Sequence, residues 1–177
     1  RLVCFSNLLW IGNSFLIPAG PLREKIGSLK KYDAVILNGD PLLNVKIVEK
    51  IKRINNKIEI FESNYNIKNI EDFDRQLNYV IFSGIGNSKS FYDLLKNNNF
   101  KVLKEFIFPD HYYYKKRDLE EIVDFAKKQN SKIITTEKDF IKINDDFMDK
   151  IKPVKIDLNI NNQEKFLEFI RLKHETN

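Results

Sequence analysis

The stretch "YVIFSGIGNSKSFYDLLKNN" (79–98) passes from a strand pattern to a helical pattern across two closely spaced glycines. Its first residues form a continuous apolar run that favours a buried strand, and the segment "SFYDLLKNN" (90–98) has a helical pattern. Gly84 and Gly86 lie between the two, where the chain has to turn. A strand that leads through a short turn into a helix is typical of the βαβ units of parallel sheets.

The rest of the chain repeats this alternation. Apolar runs of strand length, each bounded by turn residues, occur at 2–6, 34–39, 57–62, 101–108 and 132–139. Two segments between them, 44–54 and 117–130, place apolar residues at spacings of three and four, which predicts helices. Strands that alternate with helices predict an α/β layered sandwich.

Residues 63–78 interrupt the pattern, because they are rich in asparagine and charge and contain no long apolar run. A chain of 177 residues with 42% hydrophobic residues can form one ordinary domain or two small ones, each with a core. We therefore predict a domain boundary here, with domains at 1–66 and 67–177.

The charge balance is a weak clue to partners. A net charge of +5 and a pI near 9.1 favour nucleic acid, phosphorylated metabolites or an anionic membrane surface, but 25 acidic residues are intermixed with the basic ones. The lone cysteine, Cys4, lies in an apolar run and is expected to be a small buried residue. No run reaches the roughly 18 apolar residues of a membrane span, which predicts a cytosolic chain. The strand pattern of "RLVCF" already begins at residue 2, so we expect the chain to begin in the middle of a domain.

The two glycines of the opening stretch allow close approach of the backbone to a ligand. Because a helix N-terminus presents unpaired N–H groups, phosphate contact by Gly84, Gly86 and Asn87 is physically sensible. The motif is not a complete G-x-G-x-x-G, since Lys89 occupies the third glycine position. A tight turn with Ser88 or Asn87 as the helix cap explains the same residues.

One of two histidines occurs in "FPDHYYY" (108–114), between a predicted strand and a predicted helix. Asp110 and His111 would therefore lie at the carboxyl end of a strand, where open α/β sheets bind ligands. The unperturbed pKa of histidine is close to neutral pH, so His111 is a candidate for proton transfer. A local turn with satisfied hydrogen bonds is the alternative.

Two further polar segments are candidates. Thr136, Glu137, Lys138 and Asp139 follow a strand and are predicted either to contact a ligand or to start a helix capped by Thr136. The proline- and glycine-rich stretch 15–24 ends in Arg23 and Glu24, and an arginine on a stiff loop suits phosphate or carboxylate.

Five motifs, taken together and in order, point to a family: "GNSFLIPAGPLRE", "DAVILNG", "SGIGN", "FPDHYYY" and "TTEKD". They resemble the C-terminal half of the tetraacyldisaccharide 4'-kinases, the lipid A kinases, and the resemblance covers essentially the whole chain. It implies the remnant of a P-loop α/β/α domain followed by a smaller Rossmann-like α/β/α domain, with the active site between them. It also implies ATP-dependent phosphorylation of the 4'-hydroxyl of tetraacyldisaccharide 1-phosphate, a lipid A precursor, peripherally at the cytoplasmic face of the inner membrane, and no nucleic-acid partner.

The resemblance assigns His111 a catalytic role. In the family, the histidine of F-x-D-H, matched here by His111, is thought to pair with an aspartate near the P-loop and to help deprotonate the attacking hydroxyl. Asp110 is its neighbour and a candidate orienting group. The roles of Arg23, Glu24 and the "TTEKD" residues are inferred from position only.

The P-loop motif G-x-x-x-x-G-K-[ST] and the acidic metal-binding motif of the family have no match in these 177 residues. Phosphoryl transfer depends on positioning and charge neutralisation by the P-loop backbone, its lysine and Mg²⁺. The resemblance therefore implies ATP and Mg²⁺, while their main ligands are missing from this chain and no metal ligand is predicted in it.

Three interpretations follow. The chain is a truncated kinase that acts only with a separate P-loop half, a non-catalytic remnant of that kinase, or an anion- or small-molecule-binding module. The run "FSNLLWIGNSFLI" (5–17), which includes Trp10, is either core or a contact to acyl chains or the membrane interface.

Overall fold

The computed structural model describes residues 1–175 and divides into two compact units. Unit 1 contains residues 1–65 and the segment from Leu158 onward, and unit 2 contains Asn66–Asp157. In chain order the elements are β1 (Leu2–Ser6), β2 (Ala34–Asn38), α1 (Asn44–Ile54), β3 (Glu59–Ile67), β4 (Asn78–Ser83), α2 (Ser88–Asn97), β5 (Lys101–Ile107), α3 (Lys116–Lys128), β6 (Lys132–Thr136), α4 (Glu137–Phe140), β7 (Ile151–Val154), β8 (Ile156–Ile160) and α5 (Gln163–Glu175). Short 3-10 turns occur at Ile26–Lys31, Pro41–Leu43, Ile70–Asp72 and Asp145–Phe147.

Unit 1 is a four-stranded sheet in the order β1-β2-β3-β8, in which β1, β2 and β3 run parallel. The central strand β2 is buried on both faces, as its uninterrupted apolar sequence predicts. Val35 and Leu37 pack with Ile47 and Ile51 of α1. Ala34 and Ile36 face the other way, because side chains alternate along a strand.

The opposite face of this sheet is covered by α5, which belongs to unit 1. Phe166 and Phe169 lie 5.0 and 5.4 Å, between ring centroids, from Phe61 of β3. The structure thus differs from the predicted domain 67–177, because α5 packs against the first sheet. The aromatic contacts to Phe61 are the physical reason.

Cys4 is exposed, so the prediction of a buried cysteine was wrong. It lies on β1, which is the edge strand of its sheet. The side chains of β1 are therefore less buried than those of the central strand β2.

Unit 2 is a second parallel sheet, in the order β5-β4-β6-β7. One face packs on α3, where Val80 and Phe82 meet Leu119 and Ile122. On the other face, Tyr79 and Ile81 lie in a cluster with residues of α2, Phe91 and Leu95. The α/β class predicted from the sequence is therefore confirmed in both units. Within residues 1–175, no helix is long and apolar enough to cross a membrane.

Candidate functional site

Three of the predicted segments meet at the carboxyl edge of the unit 2 sheet. Strand β4 lies between β5 and β6, so the chain leaves β4 toward one neighbour and returns to the other side for β6. The ends of these strands therefore frame a switch point, which is where open α/β sheets bind ligands. Gly84 follows β4, His111 follows β5, and Thr136 ends β6.

Asp139 connects two of these segments. Its carboxylate is fully buried, and its Oδ2 accepts hydrogen bonds from the Gly84 N–H at 3.0 Å and the Thr136 hydroxyl at 2.8 Å. Its Oδ1 lies 3.1 Å from the ammonium of Lys142, which is itself mostly buried. Asp139 thus ties the end of β4 to the start of α4.

Thr136 caps α4, because its hydroxyl accepts a hydrogen bond from the Asp139 N–H at 3.1 Å. The alternative interpretation of "TTEKD" as a capped helix start is therefore confirmed. Glu137 and Lys138 of the same motif are exposed. Their contact to a ligand remains a prediction.

His111 is held by its backbone while its ring is exposed. Its N–H donates to the Gly84 carbonyl at 3.1 Å, and its side chain is 89% exposed. Its φ is +59°, in the left-handed region, which costs a residue with a side chain about 1 kcal/mol. The catalytic role of His111 remains a prediction.

Asp110 acts on His111 through the backbone. Its Oδ1 accepts the His111 N–H at 3.0 Å, whereas its Oδ2 is 3.8 Å from the ring Nε2, beyond hydrogen-bond distance. Asp110 therefore stabilises the turn that presents the ring. Orientation of the imidazole by this carboxylate remains a prediction.

An aromatic cluster supports the turn. Phe108 stacks on Tyr112 at 4.9 Å, and Tyr114 packs edge-on to Phe82 at 5.1 Å. The Tyr112 hydroxyl donates to Asp118 of α3 at 2.8 Å, and this bond raises the pKa of Tyr112. Tyr112 thus anchors the loop to α3.

The pKa of Asp118 is lowered in the folded protein, whereas the pKa of Tyr114 is raised. Burial would raise the pKa of Asp118, but the hydrogen bonds from Tyr112 and the Lys115 N–H outweigh it and leave this pKa below its ordinary value. Burial, and next the charge of Asp139, raise the pKa of Tyr114 far above its ordinary value. The Tyr114 hydroxyl therefore stays protonated.

The glycines and Asn87 form a structural turn. Asn87 caps α2 by accepting the Ser90 N–H at 3.2 Å, as one of the sequence interpretations predicts. Gly84 is buried, while Gly86 and Asn87 are exposed. Phosphate contact by these three residues remains a prediction.

We expect Gly84→Ala to destabilise unit 2 by about 1–3 kcal/mol, the range for overpacking a filled site. An added Cβ would lie 3.0 Å from the Tyr114 hydroxyl, 3.1 Å from the Pro109 carbonyl and 3.2 Å from the Tyr112 Cβ. The turn that carries His111 would have to move away. Urea unfolding followed by circular dichroism measures the loss, and Gly27→Ala is the control, since its added Cβ meets no atom within 4 Å. Equal losses in the two variants would contradict this explanation.

Arg23 and Glu24, the other predicted site residues, belong to unit 1 and are exposed. The Glu24 Oε1 accepts a long hydrogen bond of 3.4 Å from the Tyr32 hydroxyl. Their assignment to a substrate or phosphate contact remains a prediction.

A buried polar cluster at the carboxyl edge of the unit 1 sheet was not predicted from the sequence. Asn7 donates through Nδ2 to the Asn44 Oδ1 at 2.7 Å and to the Asp40 carbonyl at 2.6 Å, and Asn44 donates to Glu62 at 2.8 Å. Gly39 has a φ of +132°, and a Cβ there would overlap the Asn7 side chain. "NGD" (38–40) directly after the apolar strand was the available signal.

A cavity of about 820 Å³ lies at the other edge of the unit 2 sheet. Its lining includes Tyr79, Lys132 and Ile151, which are at the amino ends of β4, β6 and β7. It contains none of the predicted site residues. Among residues 1–175, no group of three or more His, Cys, Asp or Glu side chains could hold a metal ion, so no metal ligand is assigned.

Comparison with known proteins places these residues in a family. The family model described as "Tetraacyldisaccharide-1-P 4'-kinase" matches residues 2–175. A tetraacyldisaccharide 4'-kinase of Pelagibacter ubique is 45% identical over 177 residues, which is 100% of this chain and 56% of that protein. The kinase of Rickettsia akari is 39% identical over 163 residues, covering 90% of this chain and 47% of that protein.

A solved structure shares the fold. The "apo" form of LpxK from Aquifex aeolicus, in complex with ATP, matches with a TM-score of 0.59 and 22% identity, over 96% of this chain and 51% of that one. The chain spans about half the length of the curated relatives it matches, mostly their C-terminal half. The family model covers nearly every residue, and the chain therefore belongs to the tetraacyldisaccharide-1-P 4'-kinase family.

Proposed function

We propose that this chain forms the C-terminal half of an enzyme that phosphorylates the 4'-hydroxyl of tetraacyldisaccharide 1-phosphate with ATP. Similarity to tetraacyldisaccharide 4'-kinases along the whole chain supports this proposal. The observation that carries it is the position of His111, which matches the family's catalytic histidine. Its side chain is exposed, and its backbone is hydrogen-bonded within a turn at the carboxyl edge of the unit 2 sheet.

In this proposal His111 accepts the proton of the attacking hydroxyl at a ring nitrogen. General-base assistance of this kind contributes about 10²–10⁴-fold in rate. Asp110 and the Gly84 carbonyl hold the backbone of His111, so that the ring is presented to the substrate. The Asp139 carboxylate in turn holds Gly84 by accepting a hydrogen bond from the Gly84 N–H.

ATP and Mg²⁺ belong to a P-loop half, on the same or a separate polypeptide. When bound they supply the phosphoryl group and neutralise its charge. The described residues of this chain do not form a metal site on their own, and we derive no step through these groups. The substrate is a lipid, so we place the enzyme peripherally at the cytoplasmic face of the inner membrane.

Reconstitution tests the proposal. The chain is assayed with radiolabelled ATP and the tetraacyldisaccharide 1-phosphate in detergent, alone, mixed with the N-terminal half of the Pelagibacter ubique relative, and fused to it. We expect labelled lipid from the mixture or the fusion and none from either half alone, because the P-loop and His111 are then in one enzyme. The fusion excludes poor association as a cause of failure, so a folded but inactive fusion would indicate a remnant or a binding module.

A further inference from the structure

One tyrosine beside His111 faces solvent while its two neighbours are packed. Tyr112 and Tyr114 join the aromatic cluster next to α3, with their ring centroids 5.5 Å apart. Tyr113 lies between them and is 83% exposed. Among residues 1–175, its side chain makes no hydrogen bond and no ring contact. The Tyr113 ring is therefore available to a ligand.

The packed neighbours fix the backbone of Tyr113. The Tyr112 hydroxyl donates to Asp118 of α3 at 2.8 Å, and the Tyr114 ring packs edge-on to Phe82 of β4 at 5.1 Å. The segment is thus attached to a helix and to the central part of a sheet. A ligand that meets Tyr113 has little backbone to order, which lowers the entropic cost of binding.

The covalent chain keeps Tyr113 close to His111. One residue separates them, and because consecutive Cα atoms are about 3.8 Å apart, their own Cα atoms are at most about 7 Å apart. Both side chains are largely exposed. The two rings therefore reach solvent from the same short segment.

The proposed reaction brings a sugar ring into this space. A general base lies about 2.6–3.2 Å from the oxygen whose proton it takes. The 4'-hydroxyl is attached directly to a carbon of the sugar ring, so this ring has to lie beside the His111 imidazole during the reaction. The side chain of Tyr113, two residues away, is long enough to reach its face.

An aromatic ring suits the face of a sugar. That face presents C–H groups, which are apolar and slightly positive, and the face of an aromatic ring is slightly negative. Stacking also removes both surfaces from water. Tyr112 and Tyr114 are less suited to this contact, because their rings already pack on Phe108 and Phe82.

We propose that the ring of Tyr113 stacks on the sugar ring that carries the 4'-hydroxyl. This inference rests on the proposed function and adds to it a residue that binds the acceptor sugar. In this role Tyr113 holds the sugar beside His111 and takes no part in proton transfer. Contact of Tyr113 with the P-loop half is the competing explanation, and the experiment separates the two.

Steady-state kinetics of the fused enzyme, at a constant detergent concentration, test this role. Tyr113→Ala is expected to raise KM for the tetraacyldisaccharide 1-phosphate about tenfold and to change kcat much less, because a contact made equally in ground and transition states is lost. Tyr113→Phe keeps the ring and is expected to restore KM to within about twofold of the parent. Tyr65→Ala is the matched control, since it removes an exposed tyrosine of unit 1 and should leave KM unchanged.

Three kinetic results would overturn the proposal. The first is an unchanged KM for the lipid in Tyr113→Ala. The second is a Tyr113→Phe enzyme as impaired as Tyr113→Ala, since stacking needs the ring and not the hydroxyl. The third is a higher KM for ATP, or weaker association of the two separate halves, with an unchanged KM for the lipid, which would assign Tyr113 to the P-loop half. Equal unfolding midpoints in urea establish that the variants are folded.

Saturation-transfer NMR tests the sugar contact without kinase activity. The probe is the deacylated disaccharide 1-phosphate, which dissolves in water, mixed with this chain alone. We expect transfer to the sugar ring protons from the parent and from Tyr113→Phe, and much less from Tyr113→Ala. Such a result with an inactive fusion would keep the sugar contact and reject the proposed kinase activity. Absence of transfer from the parent, or equal transfer from Tyr113→Ala, would overturn the sugar contact whatever the activity of the fusion.

Discussion

Asp139→Ala is expected to destabilise the chain by about 3 kcal/mol, at the upper end of what single substitutions commonly cost. The carboxylate has no exposed surface and satisfies the Gly84 N–H, the Thr136 hydroxyl and the Lys142 ammonium. Its removal leaves these donors without an acceptor and a cation without its counter-ion. The expected loss is at the lower end for a broken buried ion pair, because the Lys142 side chain keeps 19% exposure and can gain some water. Urea unfolding followed by circular dichroism measures the change.

Two further variants separate the contributions. Asp139→Asn keeps an oxygen for the Gly84 N–H but loses the charge opposite Lys142, so a smaller loss of about 1–2 kcal/mol is expected. Glu137→Ala changes an exposed acid two residues away and is expected to stay within about 0.5 kcal/mol of the parent. If Asp139→Ala were no worse than Glu137→Ala, Asp139 would not be the link between β4 and α4.

Much of the fold follows from local pattern. The run "AVIL" at 34–37 is apolar at every position because β2 is covered on both faces, and this made the strand recognisable. The helical spacing at 44–54 matches α1. By contrast, β8 is mostly exposed and α5 has no fully buried residue, so neither has a strong periodic signal. The contacts that hold α5 on the sheet come from residues distant in sequence, such as Phe166 and Phe169 against Phe61 and Lys165 beside Glu59.

The sequence predicted the position of the site but not the contacts that each of its residues makes. Gly84, His111 and Thr136 were each predicted to lie at the end of a strand, and the structure brings them together because parallel strands end at the same edge of a sheet. Their individual roles depend on side-chain direction and burial. Asp139 was expected to contact a ligand or to lie in a helix start, and its carboxylate turns inward to pair with Lys142 and the Gly84 N–H. No local pattern specifies partners of that kind.

His111→Ala is expected to lower the activity of the reconstituted enzyme by about 10²–10⁴-fold, the range for losing a general base. The fold should change little, because the ring is 89% exposed and the hydrogen bonds of residue 111 come from its backbone. Stability is expected within about 1 kcal/mol of the parent, since a shorter side chain keeps the left-handed strain at a φ of +59°. The rate of lipid phosphorylation and the urea midpoint are measured on the same preparation.

The matched control is His111→Asn, because asparagine tolerates the left-handed region but cannot take up a proton near neutral pH. If His111 only shapes the turn, His111→Asn should keep most of the activity. If His111 accepts the proton, His111→Asn should be as inactive as His111→Ala. Added imidazole should then partly restore His111→Gly, since the exposed position leaves the space of the ring open to solvent. Full activity of His111→Asn, with no effect of imidazole on His111→Gly, would remove His111 from proton transfer.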